Sequence, residues 1–187
     1  MTNSAGNFCL FAVCLLALSA CGGQLYKVAT PAKVAPPPLT AADNELSVAA
    51  KVLTGDESLA QFDANLLLAG IVAVDVRLAN RTATAIPLNT LRWDLNDGGR
   101  TLFKLLPPKK ALKRVMEYYG NTVYRADAYQ NTYDSYERLA LPLATNLEAS
   151  AEMRGFLFFE SKYEATGLTG LTLTVSGSGT PLQVKLN

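Results

Sequence analysis

The chain has 187 residues, with 17 Lys and Arg against 16 Asp and Glu, three cysteines and no histidine. A net charge of +1 gives no strong field to draw in nucleic acid, and 49% hydrophobic residues argue against wholesale disorder. Without histidine, Ser-His-Asp and Cys-His machinery, the commonest general base and the usual zinc sites are ruled out.

The cysteines are Cys9, Cys14 and Cys21, so nothing after position 21 can form a disulfide framework, a Cys-ligated metal site or a thiol nucleophile. Phe8 to Ala20 is almost wholly apolar, and residues 1–20 hold no Lys, Arg, Asp or Glu. Such a run fits the apolar core of a secretory signal, about 7–15 residues long, and falls short of the roughly 20 needed to cross a bilayer. Gln24, Lys27 and Lys33 end it. Leu18-Ser19-Ala20-Cys21, followed by Gly22-Gly23, resembles the lipobox of bacterial lipoproteins in every position. The resemblance implies a lipoprotein signal peptide over 1–20 and acylation of Cys21, with palmitate-type chains, as the first residue of the processed protein. One acyl chain binds a membrane only marginally, at about 0.8 kcal/mol per buried CH2, so the three chains implied here would make attachment permanent. Gly22, rather than Asp, after the cysteine implies the outer membrane, facing the periplasm, rather than the inner membrane.

Residues 21–42 then read as a lipidated cysteine and a Pro/Ala-rich tether. The stretch from Thr30 to Pro38 lacks periodicity and favours polyproline II. Leu46–Leu53 predicts a first strand, and Glu57–Leu66 a short helix carrying Leu59, Phe62 and Leu66 on one face. Ile71–Asn80 is the clearest strand, with Val72, Val74, Val76 and Leu78 to one side. Ile86–Leu95 predicts another, and Asn96-Asp97-Gly98-Gly99 a hairpin turn returning through Thr101–Leu106. The period then changes. Leu112, Val115, Met116 and Tyr119 share a helical face opposite Lys109, Lys110, Lys113, Arg114 and Glu117, with Gly120 as terminator. A second helix is expected from about Thr122 to Arg138, with Tyr129, Tyr133 and Tyr136 along it. Strands return over 152–160, 168–175 and 182–186.

About seven short strands with turns between them predict an antiparallel two-sheet sandwich over 43–187, with a helical insertion at about 107–138. Leu95-x-Asp97-x-Gly99, the Gly155-to-Phe159 run and the Leu171-to-Val175 alternation are similar to the immunoglobulin-like β-sandwich of uncharacterised bacterial lipoproteins. The Cys…Trp…Cys core of antibody domains is absent.

No catalytic residue, metal ligand or cofactor site follows from these motifs. The candidate binding residues are Tyr119, Tyr124, Tyr129, Tyr133 and Tyr136, since tyrosine offers an apolar ring and a hydrogen-bonding hydroxyl to a partner. Lys110 and Arg114 join them as a basic face that could meet headgroups, anionic polymer or an acidic partner. Helix-on-sheet packing and a solvated helix face would use the same residues. Asp94, Asp97, Asp127, Asp134 and Glu137 match no calcium loop. Gly177-Ser178-Gly179 precedes no helix and so makes no phosphate cradle. The expected function is that of a membrane-anchored, non-enzymatic envelope lipoprotein, a binding or accessory module for an envelope protein or glycan. A structural subunit of an envelope assembly, or a carboxylate-based glycan hydrolase, are the alternatives.

Overall fold

Ile71 to Val74 and Phe156 to Phe159 are apolar at every position, so strands built from them must be covered on both faces. They lie side by side at the centre of a large antiparallel sheet. The structure, a computed structural model, describes residues 23–37, 41–43, 45–98, 102–161, 165–177 and 179–186. Its strands are β1 (Ala41–Ala42), β2 (Leu46–Val52), β3 (Ile71–Asn80), β4 (Ile86–Pro87), β5 (Arg92–Asp97), β6 (Leu102–Leu106), β7 (Asn146–Leu147), β8 (Glu152–Glu160), β9 (Leu171–Ser176) and β10 (Leu182–Lys185). The helices are α1 (Gly55–Phe62), α2 (Pro108–Tyr118) and α3 (Ala126–Leu139). Eight strands form one sheet in the order β1-β2-β3-β8-β6-β5-β9-β10, and β4 pairs with β7 as a separate ribbon.

This arrangement corrects the expected immunoglobulin-like β-sandwich. The first residues of β6 pair with β5 (Leu95↔Phe103, Asn96↔Leu102), and its later ones with β8 (Lys104↔Glu160, Leu105↔Phe159, Leu106↔Phe158). One strand thus carries the hydrogen bonding from one half of the sheet to the other, where a sandwich would keep two separate sheets. The sheet curls until β1 and β10, its two ends, touch, which makes it a nearly closed barrel in a mixed β/α fold. The resemblance to sandwich-type lipoproteins falls with that correction. Among the described residues no helix is long and apolar enough to cross a membrane. The expected signal peptide and Cys21 lie outside the described residues.

The barrel interior is filled by one parity of each strand. Val48, Val74 and Leu157 face Leu95, Leu173 and Val184 there, and Ile86 and Leu147 add the small ribbon to the same cluster. The other parity of β3 and β8 builds a second core outside the barrel, where Ile71, Ala73, Phe156 and Phe158 lie beneath the helices. Phe62 at the end of α1 is its hub, with ring centroids 5.0 Å from Tyr136, 5.3 Å from Phe156 and 5.7 Å from Phe158.

Local chemistry explains where the helices begin and end. Thr54 and Glu57 form a reciprocal capping box that starts α1 two residues before the predicted Glu57. Pro108 opens α2 in the position where a missing N–H costs nothing. Gly120, at φ +69°, closes it in a left-handed turn, with Asn121 N–H donating to Met116 O (2.9 Å) and Gly120 N–H to Glu117 O (3.3 Å). The expected helical insertion is therefore present as α2 and α3. The chain leaving α3 crosses β8 at Gly155, where a Cβ would lie 2.5 Å from the Leu141 backbone.

Candidate functional site

The segment predicted as a spacer is laid onto the helical layer. Over residues 23–37, Tyr26, Val28 and Val34 are buried in the outer core. Polar groups of three elements fix the path. Gln24 Nε2 donates to Ser135 Oγ (2.9 Å) and Leu25 N–H to Thr132 Oγ1 (2.8 Å), both on α3. Asn121 Nδ2 donates to the Tyr26 hydroxyl (2.6 Å) in the loop between α2 and α3. Buried Gln61 of α1 accepts from Lys33 N–H (2.7 Å) and donates to Ala29 O, and its own carbonyl accepts from Ala29 N–H (2.8 Å).

A buried ion pair closes the far end of this strap. Asp75 of β3 is fully buried and takes Arg154 of β8 in a bidentate pair, Nε–Oδ1 3.0 Å and Nη2–Oδ2 2.7 Å. The same Nη2 donates to Val34 O at 2.6 Å. The hydrogen bond to Asp75 holds the guanidinium protonated beyond its usual range, against the opposing effect of partial burial. The pair therefore joins two central strands and a peptide that crosses them.

Where the strap meets the loop between α2 and α3, an aromatic surface is open to solvent. Tyr118 is 45% exposed, Tyr119 41%, Val123 95% and Tyr124 45%. The Tyr118 and Tyr119 rings meet edge to face at 4.9 Å, and Tyr119 lies 6.5 Å from Tyr26. Tyr124 stacks on Tyr129 at 5.4 Å. Four large apolar side chains are thus exposed within seven residues of chain, a clustering of the kind that marks a contact site. The Tyr119 hydroxyl is tied to the backbone of Asn65, which fixes its ring at the edge of the patch.

The other candidate residues separate. Tyr129 and Tyr133 are half-buried, and the Tyr133 hydroxyl donates to Glu137 Oε1 (3.0 Å), a bond that raises its pKa above the ordinary tyrosine value. Tyr136 is fully buried and belongs to the core. Its hydroxyl has no hydrogen-bond partner among the described residues, and burial drives its pKa well above the ordinary value. Lys110 is exposed on α2. Arg114, half-buried, donates to Ala69 O (2.9 Å), Glu160 Oε1 (2.7 Å) and Ser161 O (3.2 Å), so it fastens α2 to the ends of β3 and β8.

Four of the acidic residues that match no calcium loop each have a separate partner. Asp94 pairs with Arg92 at 3.0 Å, Asp127 with Arg125 at 2.7 Å, Asp134 accepts from Gln130 and Glu137 from Tyr133. Among the described residues no group of three His, Cys, Asp or Glu is placed to hold a metal ion. A recess of about 760 Å³ opens at one end of the barrel between Val52, Leu67, Val72, Leu168 and Leu171, with Thr54 and Lys185 also lining it. Residue spacing carries no signal for that recess, because its walls come from widely separated stretches of chain.

The sequence matches no protein-family model, and no curated protein is significantly similar to it. Among solved structures, a conserved hypothetical protein from Bacillus anthracis, determined by crystallography at 2.2 Å, is similar over 80% of this chain and 95% of its own. The identity is 12% and the TM-score 0.38, a likeness too distant to fix either fold or function.

Proposed function

We propose that this chain is a membrane-anchored, non-enzymatic module of the cell envelope, held by a lipid on Cys21 and acting through contact with another envelope component. The outer membrane, on its periplasmic side, is the proposed location. The observation that carries the reading is the open aromatic patch of Tyr118, Tyr119, Val123 and Tyr124 beside Tyr26 of the strap. A domain that buries aromatic rings elsewhere, as with Phe62, Tyr136 and Phe158, has left these outside. The lipobox-like Leu18–Cys21 supplies the proposed attachment, and a histidine-free, thiol-free body favours binding over chemistry.

Fractionation with intact-mass analysis tests the reading. The expected product begins at position 21, carries fatty acids and sediments with membranes, while Cys21→Ser shifts the chain to the soluble fraction. A chain that still begins at Met1, or one trimmed elsewhere without acyl groups, would overturn it.

A further inference from the structure

The proposed attachment point is within chain reach of the patch, and the number of residues between them sets the bound. Leu25 N–H is hydrogen-bonded to Thr132 on α3 at 2.8 Å. Cys21 is four residues upstream, so a lipid there lies within roughly 14 Å of that bond even with the chain fully extended. One helical turn before Thr132 stands Tyr129, and Tyr124 is stacked on it. A spacer free over residues 21–42 would have held the domain tens of ångströms from the bilayer. A strap docked from Gln24 onward leaves almost no slack.

From this juxtaposition we propose that the loop between α2 and α3, with Tyr118, Tyr119, Val123 and Tyr124, is a second membrane contact that lays the helical layer against the bilayer interface next to the acylated cysteine. The inference rests on the anchoring reading above and names the component that the patch meets. Tyrosine suits that depth because its ring is apolar and its hydroxyl stays hydrated. Val123, at 95% exposure, has no packing role that would explain an apolar side chain at the tip. Two cations of the helical layer add little net attraction, since Arg125 is paired with Asp127 and Lys113 with Glu117. The contact is therefore one of apolar insertion, present on neutral lipid and weakly dependent on salt.

The test uses the full processed protein. Once Cys9 and Cys14 leave with the signal segment and Cys21 is acylated, no free thiol remains, so one introduced cysteine takes a single polarity-sensitive fluorophore. Val123→Cys reports the loop. Gln183→Cys, at an exposed position of β10 across the barrel from β3 and β8, reports the opposite side. In vesicles of neutral phosphatidylcholine with brominated acyl chains, the label at 123 should shift to the blue and lose intensity, and the label at 183 should do neither. A water-like, unquenched label at 123 on an acylated chain would overturn the proposal while leaving anchoring intact. Equal quenching at both positions would overturn it too. Two labels per chain, with a matching unacylated mass, would instead remove the anchoring reading on which it stands.

Discussion

The barrel interior and the layer outside β3 and β8 are both buried, yet they are built from different chemistry. Inside, the cluster is aliphatic with a few rings, including Trp93, Phe103 and Phe159. Outside, an aromatic core around Phe62 sits among buried polar groups, Ser58, Gln61, Asp75, Thr132 and Ser135. Apolar packing stabilises without direction, at about 25 cal/mol per Å² buried. Hydrogen bonds add little net energy but fix position, because each unmet buried group is costly. The inside closes a barrel; the outside holds a peptide in one place.

That contrast can be broken first at Asp75. In Asp75→Asn the bidentate charge pair is lost, which for a buried pair costs about 3–5 kcal/mol. The lower end is expected, because the Arg154 side chain is 26% exposed and can turn to water. Denaturant unfolding reads the loss, and a midpoint unchanged from the parent would show the pair to be dispensable. Gln61→Ala should cost about 1–3 kcal/mol by leaving Lys33 N–H and Ala29 O without their partner. It should also expose residues 24–34 to proteolysis before the barrel unfolds; simultaneous cleavage would count against a separable strap.

Tyr136→Phe sharpens the comparison in the opposite direction. The hydroxyl is buried without a partner, so its removal should leave stability unchanged or raise it by up to about 1 kcal/mol. A clear loss of stability in thermal unfolding would reveal a bond that this packing does not contain. The smallest effect is expected at Glu57. Burial raises its pKa, but the hydrogen bond from Lys51 and that from Thr54 N–H outweigh it, and the carboxyl sits below its usual 4.5. A depressed folded pKa means a contribution complete above 4.5 and lost as pH falls through the lower folded value. The pair is partly exposed, with Lys51 27% and Glu57 33% accessible, so under about 1 kcal/mol is at stake. Comparing Glu57→Gln with the parent at about pH 6 and about pH 3 should show a smaller difference at the lower pH.

Strands were legible wherever the chain alternates. Ile71–Asn80 occupies the predicted residues, and 152–160 and 182–186 agree to within a residue. Closure was not legible, because residues that alternate in and out serve a sandwich and a barrel equally well. The predicted strand at Ile86–Leu95 breaks into β4, a 3-10 turn at Leu88–Thr90 and β5, so the chain can leave the small ribbon and enter the barrel wall. On α3 the tyrosine spacing misled. The buried stripe is Thr132, Ser135, Tyr136 and Leu139, and its hydroxyls are tolerated because Thr132 and Ser135 donate to carbonyls one turn back, at 2.9 and 3.0 Å. Tyr136 therefore belongs to the core, although its spacing matches that of Tyr129 and Tyr133. The strap was hidden for another reason. Leu25, Tyr26, Val28 and Val34 are scattered among Gly, Ala and Pro, and the side chains that fix them lie 28 to 120 positions away.

Amide hydrogen exchange resolved by residue tests most directly whether the strap is docked. In the membrane-bound protein, the amides of Leu25, Ala29 and Lys33 should exchange slowly, since they donate to Thr132 Oγ1, the Gln61 carbonyl and Gln61 Oε1. Free-chain exchange at all three, with the amides of β3 and β8 still protected, would contradict a docked strap and detach the domain from the bilayer surface.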